Sequence, residues 1–251
     1  MRTYKRVVIT SMPLLLIFFL AGPLRAAGDS SDKAVIAVDR TQTSEDRMGA
    51  IFDLGASADE NAAPILLGIL RDASEESRVR TSAVLALADL GNPRVQIIST
   101  FEEVYINPNT GKNFRYTILH SLGKMKAVES IPLLVAALSS ADSMIRLKAV
   151  QALGALETED ALQLLADHLT KEPDHMVRAA TVRAAGQSKS ATAEGILSNS
   201  LRSDTAPLVR NNAAIMLGKF EKLRPETQAV IEAASEDTSP EVRNAVRGIQ
   251  P

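Results

Sequence analysis

The chain has 251 residues, of which 45% are apolar, 23% charged and 4% aromatic, with no Trp and a formal net charge of −2. That balance suits a folded protein with a sizeable core, which must be built from Leu, Ala, Val and Ile. Cysteine is absent, which excludes disulfides, thiolate metal sites, a Cys nucleophile and a lipid-bearing N-terminal Cys.

Arg2, Lys5 and Arg6 precede a charge-free run over residues 7–24. The pattern predicts a secretory signal peptide over residues 1–26. Pro13 and Pro23 break the run and leave its apolar centre shorter than the roughly 20 residues a membrane span needs. The mature chain is then periplasmic or secreted, with no integral span; the alternative is an uncleaved segment anchoring it to a membrane. Cleavage removes four of the 28 Lys and Arg and none of the 30 acids, leaving a net charge of about −6. Neither that total nor the local order of charges offers a basic face for phosphates, which argues against a nucleic-acid partner.

Residues 27–43 are polar except for the stretch 34–38. They read as a linker, or as a short N-terminal cap in which Val35, Ile36 and Val38 cover the open end of the first repeat.

From residue 44 to 251 the chain repeats. An Arg next to the opening apolar residue of each unit recurs at Arg47, Arg80, Arg115, Arg146, Arg178, Arg210 and Arg243, at intervals of 33, 35, 31, 32, 32 and 33. Eight residues after the Arg stands a Gly in five units, namely Gly55, Gly123, Gly154, Gly186 and Gly218; the second unit has Ala88 there. Ile145, Ala149, Ala152, Leu153 and Leu156 fall on one helical face, and the same offsets select Val79, Ala83, Ala86, Leu87 and Leu90. The fifth unit, with Val177, Thr181, Ala184, Ala185 and Ser188, carries the least apolar mass. A second helix in each unit is marked by Leu pairs four apart: Leu66 and Leu70, Leu134 and Leu138, Leu165 and Leu169, Leu197 and Leu201. Each unit is thus a helical hairpin that buries its apolar faces only when the next unit stacks on it. The last, from Ser239, stops after one short helix.

VRTSAVLALADLGNPR at residues 79–94 and IRLKAVQALGAL at residues 145–156 resemble the HEAT repeat, in the short variety shared with phycobilin lyase subunits. The resemblance covers about residues 44–251. It implies an all-α fold, a right-handed α-solenoid of about six helical hairpins plus a terminal half-repeat. It further implies that the second helices line a concave, macromolecule-binding surface. Many activities are grafted on such scaffolds.

The recurring Arg lies in the first turn of a helix, where a cation opposes the helix dipole, so a local acid must compensate it. Asp142 and Asp174, each four residues before its Arg, are the candidates. They predict a structural ladder of Arg80, Arg146, Arg178 and Arg210 with the acids of successive turns.

No catalytic residue, metal site or cofactor site is assigned from the sequence. Asp167, His168 and Asp174 lie near one turn, but there is no second His at helical spacing. The His–Glu pairs of the iron-binding hydroxylases built from HEAT-like repeats are also absent. Surface histidine is the plain reading of His120, His168 and His175. The insertion YINPNTGKN at residues 105–113 reads as a surface loop, or as a contact loop with Tyr105 as its anchor and Asn109 at its turn. On the second helices, Ile69, Ala136, Asp167, His168 and Asn199 are candidate partner-binding positions, grading from apolar to polar. These features point to a non-enzymatic protein-binding scaffold or adaptor of the cell envelope. The competing classes are a lyase or accessory lyase subunit of the phycobilin lyase type, and a structural subunit of a larger complex.

Overall fold

The computed structural model describes residues 28–57 and 59–249. The expected signal segment, residues 1–26, lies outside them. Among the described residues there are fourteen α-helices and no strand, and no helix is long and apolar enough to cross a membrane.

After α1 (Gly28–Val38), the helices alternate as first and second members of hairpins. The first helices are α2 (Ser44–Ala56), α4 (Ser77–Leu90), α6 (Lys112–Lys124), α8 (Ser143–Leu156), α10 (His175–Ala185) and α12 (Pro207–Leu217). Their partners are α3 (Ala62–Arg71), α5 (Arg94–Ile106), α7 (Ile131–Leu138), α9 (Glu159–Leu169), α11 (Ala191–Ser203) and α13 (Pro225–Ala233), and α14 (Pro240–Arg247) closes the stack. Local chemistry sets several boundaries. Thr43, Thr158 and Ser190 each accept a backbone N–H of the first turn they precede, and Gly91, at φ 67°, ends α4 in the left-handed conformation.

The helical stripe read from the sequence is the buried one: Ile145, Ala149, Ala152, Leu153 and Leu156 all lie inside. Of the Leu pairs, only Leu169 is partly exposed. One apolar cluster runs from Ala37 to Ala180 and a second from Ala179 to Val246, so the network divides at α10, the unit with least apolar mass. Thr181 is buried there and its hydroxyl donates to the Val177 carbonyl at 2.9 Å. At the other end α1 lies against α2. It packs Ala34, Ile36 and Ala37 on the core, while Val35 and Val38 face outward.

The recurring glycines explain how the units stack. A Cβ built on Gly55 would lie 2.7 Å from Ala86 Cα, on Gly123 2.8 Å from Ala152 Cα, and on Gly154 2.6 Å from Ala184 Cβ. Successive first helices therefore meet nearly backbone to backbone, whereas successive second helices, held apart by Leu side chains, touch more sparsely. A two-layer stack bends towards its tighter layer. The concave side is thus lined by the first helices, and the expectation that the second helices line it is corrected. Ile69 is corrected with it. The α3 helix is apolar almost throughout, and Leu67 and Ile69 are both buried rather than outward-facing.

Candidate partner-binding face

The arginines fix the register of the first helices. Arg146 grips Glu172 with its Nε and Nη2, both at 2.8 Å; Arg178 holds Asp204 at 2.8 and 3.0 Å, and Arg210 holds Asp237 at 2.7 and 2.8 Å. Arg47 holds Glu75 in the same two-pronged way at 3.0 and 2.6 Å. Three of these acids are gripped twice, because the next arginine's Nη1 donates to the acid's own carbonyl: Arg178 to Glu172 O at 3.2 Å, Arg210 to Asp204 O at 2.8 Å, Arg243 to Asp237 O at 2.6 Å. From Arg146 to Arg243 the result is an unbroken chain of charge-assisted bonds along one edge of the stack. Burial pushes the Glu172 carboxyl up, but the Arg146 fork, the Asp174 N–H and His168 outweigh it and hold the acid below its ordinary range. The Arg210 fork likewise holds Asp237 down.

Asp142 and Asp174 are not the rungs. Asp142 Oδ1 accepts from the N–H groups of Met144 (2.9 Å) and Ile145 (3.3 Å), and Asp174 Oδ1 accepts from Met176 N–H (2.8 Å). A short side chain at the helix start is committed to its own first turn, while the longer guanidinium reaches along the stack to the next turn. Asp142 also takes Lys112 Nζ at 2.8 Å, and that contact, against some burial, helps bring its carboxyl to about 2. A cap and a rung separate experimentally. Asp174→Asn, which still caps, leaves the urea midpoint unchanged, whereas Asp174→Ala lowers stability by about 1 kcal/mol.

The ladder changes character at two rungs. Arg80 donates to Leu70 O at 3.0 Å and sits 4.9 Å above the Phe114 ring; Arg115 donates to Asn107 O at 3.0 Å and sits 5.8 Å above the Tyr105 ring. The positions six residues before Arg115 and Arg146, which carry the ladder acid in later units, are Asn109 and Ser140. Aromatic faces replace carboxylates where the loop lengthens the repeat. Tyr105 therefore packs inward beneath Arg115, and burial pushes its phenol up. Asn109 is exposed at the loop tip.

Of the second-helix candidates, Ala136, Asp167 and Asn199 are exposed on the layer away from the concave side. Gln163 donates to Asp167, and Arg202 to Asn199. His168 Nε2 lies 2.9 Å from Glu172 Oε2, beneath the Arg146 pair, and burial pushes its imidazole down. Among the described residues no three His, Asp or Glu side chains come close enough to hold a metal ion.

The surface that the sequence reading missed lies on the first helices. Positions two before and two, five and nine after each ladder arginine share one helical stripe, facing away from the core. In α8 these are Met144, Lys148, Gln151 and Ala155; in α10 and just beyond, Met176, Arg183 and Gln187, the remaining position being the buried Ala180; in α12 and just beyond, Leu208, Asn212, Ile215 and Lys219. Met144, Met176 and Leu208 are 43, 50 and 37% exposed, so three consecutive repeats present an aliphatic side chain at the same place. Between α6, α8 and α10 lie two open hollows of about 540 and 470 Å³ that share Gln151 and Ala155. Their floors are the small residues of the helix contacts, Gly123, Ala152, Gly154 and Ala184, and their rims carry His120, Lys124, Lys148 and Arg183. The signal was readable: an apolar residue recurs two positions before Arg146, Arg178 and Arg210, outside the buried stripe.

A family model for HEAT repeats matches residues 108–184 and 167–250. The chain belongs to the HEAT-repeat family. Among curated proteins, deoxyhypusine hydroxylase of Coccidioides immitis is 33% identical over 132 residues, a match covering 50% of this chain and 39% of that protein. Solved HEAT-type structures align over most of the solenoid. The Escherichia coli protein YibA does so with a TM-score of 0.56, 17% identity, and coverage of 89% of this chain and 82% of its own. The CpcE–CpcF complex of phycocyanin lyase from Nostoc aligns with a TM-score of 0.52 and 18% identity, covering 94% and 98%. A HEAT-like repeat protein of Thermococcus onnurineus gives 0.52 and 14%, covering 91% and 97%. At such identities these structures speak for the fold alone.

Proposed function

We propose that this HEAT-repeat chain is a protein-binding scaffold that receives its partner along the concave face of the first helices. The observation that carries the reading is the aliphatic row of Met144, Met176 and Leu208 on the helices whose contacts frame the two small-residue hollows and on the next helix of the stack. Aliphatic groups held in register across three repeats are costly to leave in water and suit a partner lying across the helices. The signal-like residues 1–26 support a place in the cell envelope. A second reading, an enzyme or accessory lyase subunit, draws on the identity with deoxyhypusine hydroxylase. It has less support: the buried groups with shifted ionisation, Glu172, Asp204 and Asp237 among them, are consumed by the ladder and do not converge on the groove.

Photo-crosslinking in the cells that make the protein tests the face. A photoreactive residue at Gln151 or Ile215 yields discrete protein adducts, and one at Asn199 on the opposite layer yields few. Adducts confined to Asn199, or none from any position, overturn the reading.

A further inference from the structure

We infer that the occupant of the first-helix groove is an acidic polypeptide segment carrying regularly spaced aliphatic side chains. The inference rests on the scaffold reading and names the partner's chemistry.

Charge is distributed unevenly over this chain. The ladder arginines Arg47, Arg146, Arg178 and Arg210 are neutralised by Glu75, Glu172, Asp204 and Asp237. On α2 and α4 the exposed stripe also balances itself, with Arg78 paired to Glu45 at 2.7 Å. On α6 Lys124 is likewise paired, with Asp89. From α8 onward the stripe does not balance itself. Arg183 and Lys219 have no side-chain partner among the described residues, and Lys148 reaches only Gln151 Oε1, at 3.3 Å. Lys189 lies 4.9 Å above the Phe220 ring, and burial and then the neighbouring Lys219 both push its ammonium down. Like charges gathered in this way in a chain with more acids than bases form a local field that favours an anionic partner. The groove's one rim acid, Glu157, is already taken by Lys126 at 2.7 Å.

The two sets of groups form parallel rails. Met144, Met176 and Leu208 lie near the N-terminal ends of the first helices, while Arg183 and Lys219 lie towards the C-terminal ends. A segment running along the solenoid therefore meets aliphatic groups on one side and cations on the other. Packed helices stand roughly 8–10 Å apart. An α-helix returns to the same face after seven residues, or about 10.5 Å, close to one step of the stack. An amphipathic acidic helix with one aliphatic residue per heptad matches both rails. A nucleic acid matches neither, since the stripe from α8 to α12 offers aliphatic groups in place of aromatic platforms.

The test uses the full chain and three fluorescent probes: a Glu/Leu peptide with leucines at heptad spacing, its Gln/Leu counterpart, and single-stranded oligo(dT). The Glu/Leu peptide binds at least about tenfold more tightly than either competitor, weakens with added salt, and loses its advantage in the double variant Lys148→Glu, Arg183→Glu. Both residues lie on the surface stripe, and an unchanged circular dichroism spectrum confirms that the variant folds. No binding of the Glu/Leu peptide, equal binding of the Gln/Leu peptide, a preference that survives the charge reversal, or tighter binding of oligo(dT) each overturns the inference. The scaffold reading fails separately, if Gln151 and Ile215 yield no crosslinked protein. Sequencing the crosslinked peptide separates the two: an uncharged or basic segment sinks the acidic partner and leaves the scaffold standing.

Discussion

Replacing Arg146 with Ala lowers the unfolding free energy by about 3–5 kcal/mol, and Glu172→Ala does the same. The Glu172 side chain is fully buried and Arg146 is 12% exposed, so removing either leaves the other charge without its partner inside the stack. Arg146→Lys keeps the charge but not the two-pronged geometry, and falls between Arg146→Ala and the parent in urea titrations. An Arg146→Ala midpoint equal to the parent's would show that the ladder carries no stability. The acid side of the stability curve reports the same rungs. The carboxyls of Glu75, Glu172, Asp204 and Asp237 are all held below their ordinary range when folded. A group depressed by folding contributes stability above its unfolded value, about 4, and loses that contribution as the pH falls through the folded value. His168, whose imidazole burial pushes down, adds in the same direction at higher pH. The unfolded chain takes up its proton near pH 6.5 and the folded chain only below that, so stability declines on acidification through this window.

Gly123→Ala, Gly55→Ala and Gly154→Ala destabilise the stack, whereas Gly49→Ala and Gly68→Ala stabilise it. All five glycines are helical, and alanine gains roughly 0.5–1 kcal/mol over glycine in a helix interior. At Gly49 and Gly68 a Cβ meets nothing within 4 Å, so that gain is realised. At Gly123 the Cβ would lie 2.8 Å from the Ala152 backbone, and at Gly55 2.7 Å from that of Ala86; these main-chain atoms cannot swing aside. Overpacking of this kind costs about 1–3 kcal/mol, enough to reverse the sign. Calorimetric melting of the five single variants checks the ordering, and a stabilised Gly123→Ala would show that the first helices are not in close contact.

The repeat period, the hairpin units and the buried face were legible because they depend on side-chain spacing along one helix. The ladder acids were not. Glu172 lies 26 residues beyond its arginine and Asp237 lies 27 beyond its own, and the rung acid is Glu in some units and Asp in others. Asp142 and Asp174 sat at the nearer spacing that suits a cap. The side of curvature was written in the sequence without being read. Glycine and alanine on the first helices and paired leucines on the second specify one tight layer and one wide one, yet periodicity alone says only which face is buried, not how close the neighbour comes. Ile69 was misplaced because α3 is apolar nearly all round and offers no polar side to set its rotation.

The ring-faced rungs at Arg80 and Arg115 set the middle of the solenoid apart from its ends. Near-identical units stacked in a row would respond to acid alike from end to end. Here the joints from α8 to α14 depend on carboxylates that protonation silences, and the two joints beside the Tyr105 loop depend on Phe114 and Tyr105, which acid does not touch. Acidification therefore loosens the C-terminal half before the middle, and the aliphatic and cationic rails of α8 to α12 come apart while the loop region is still closed.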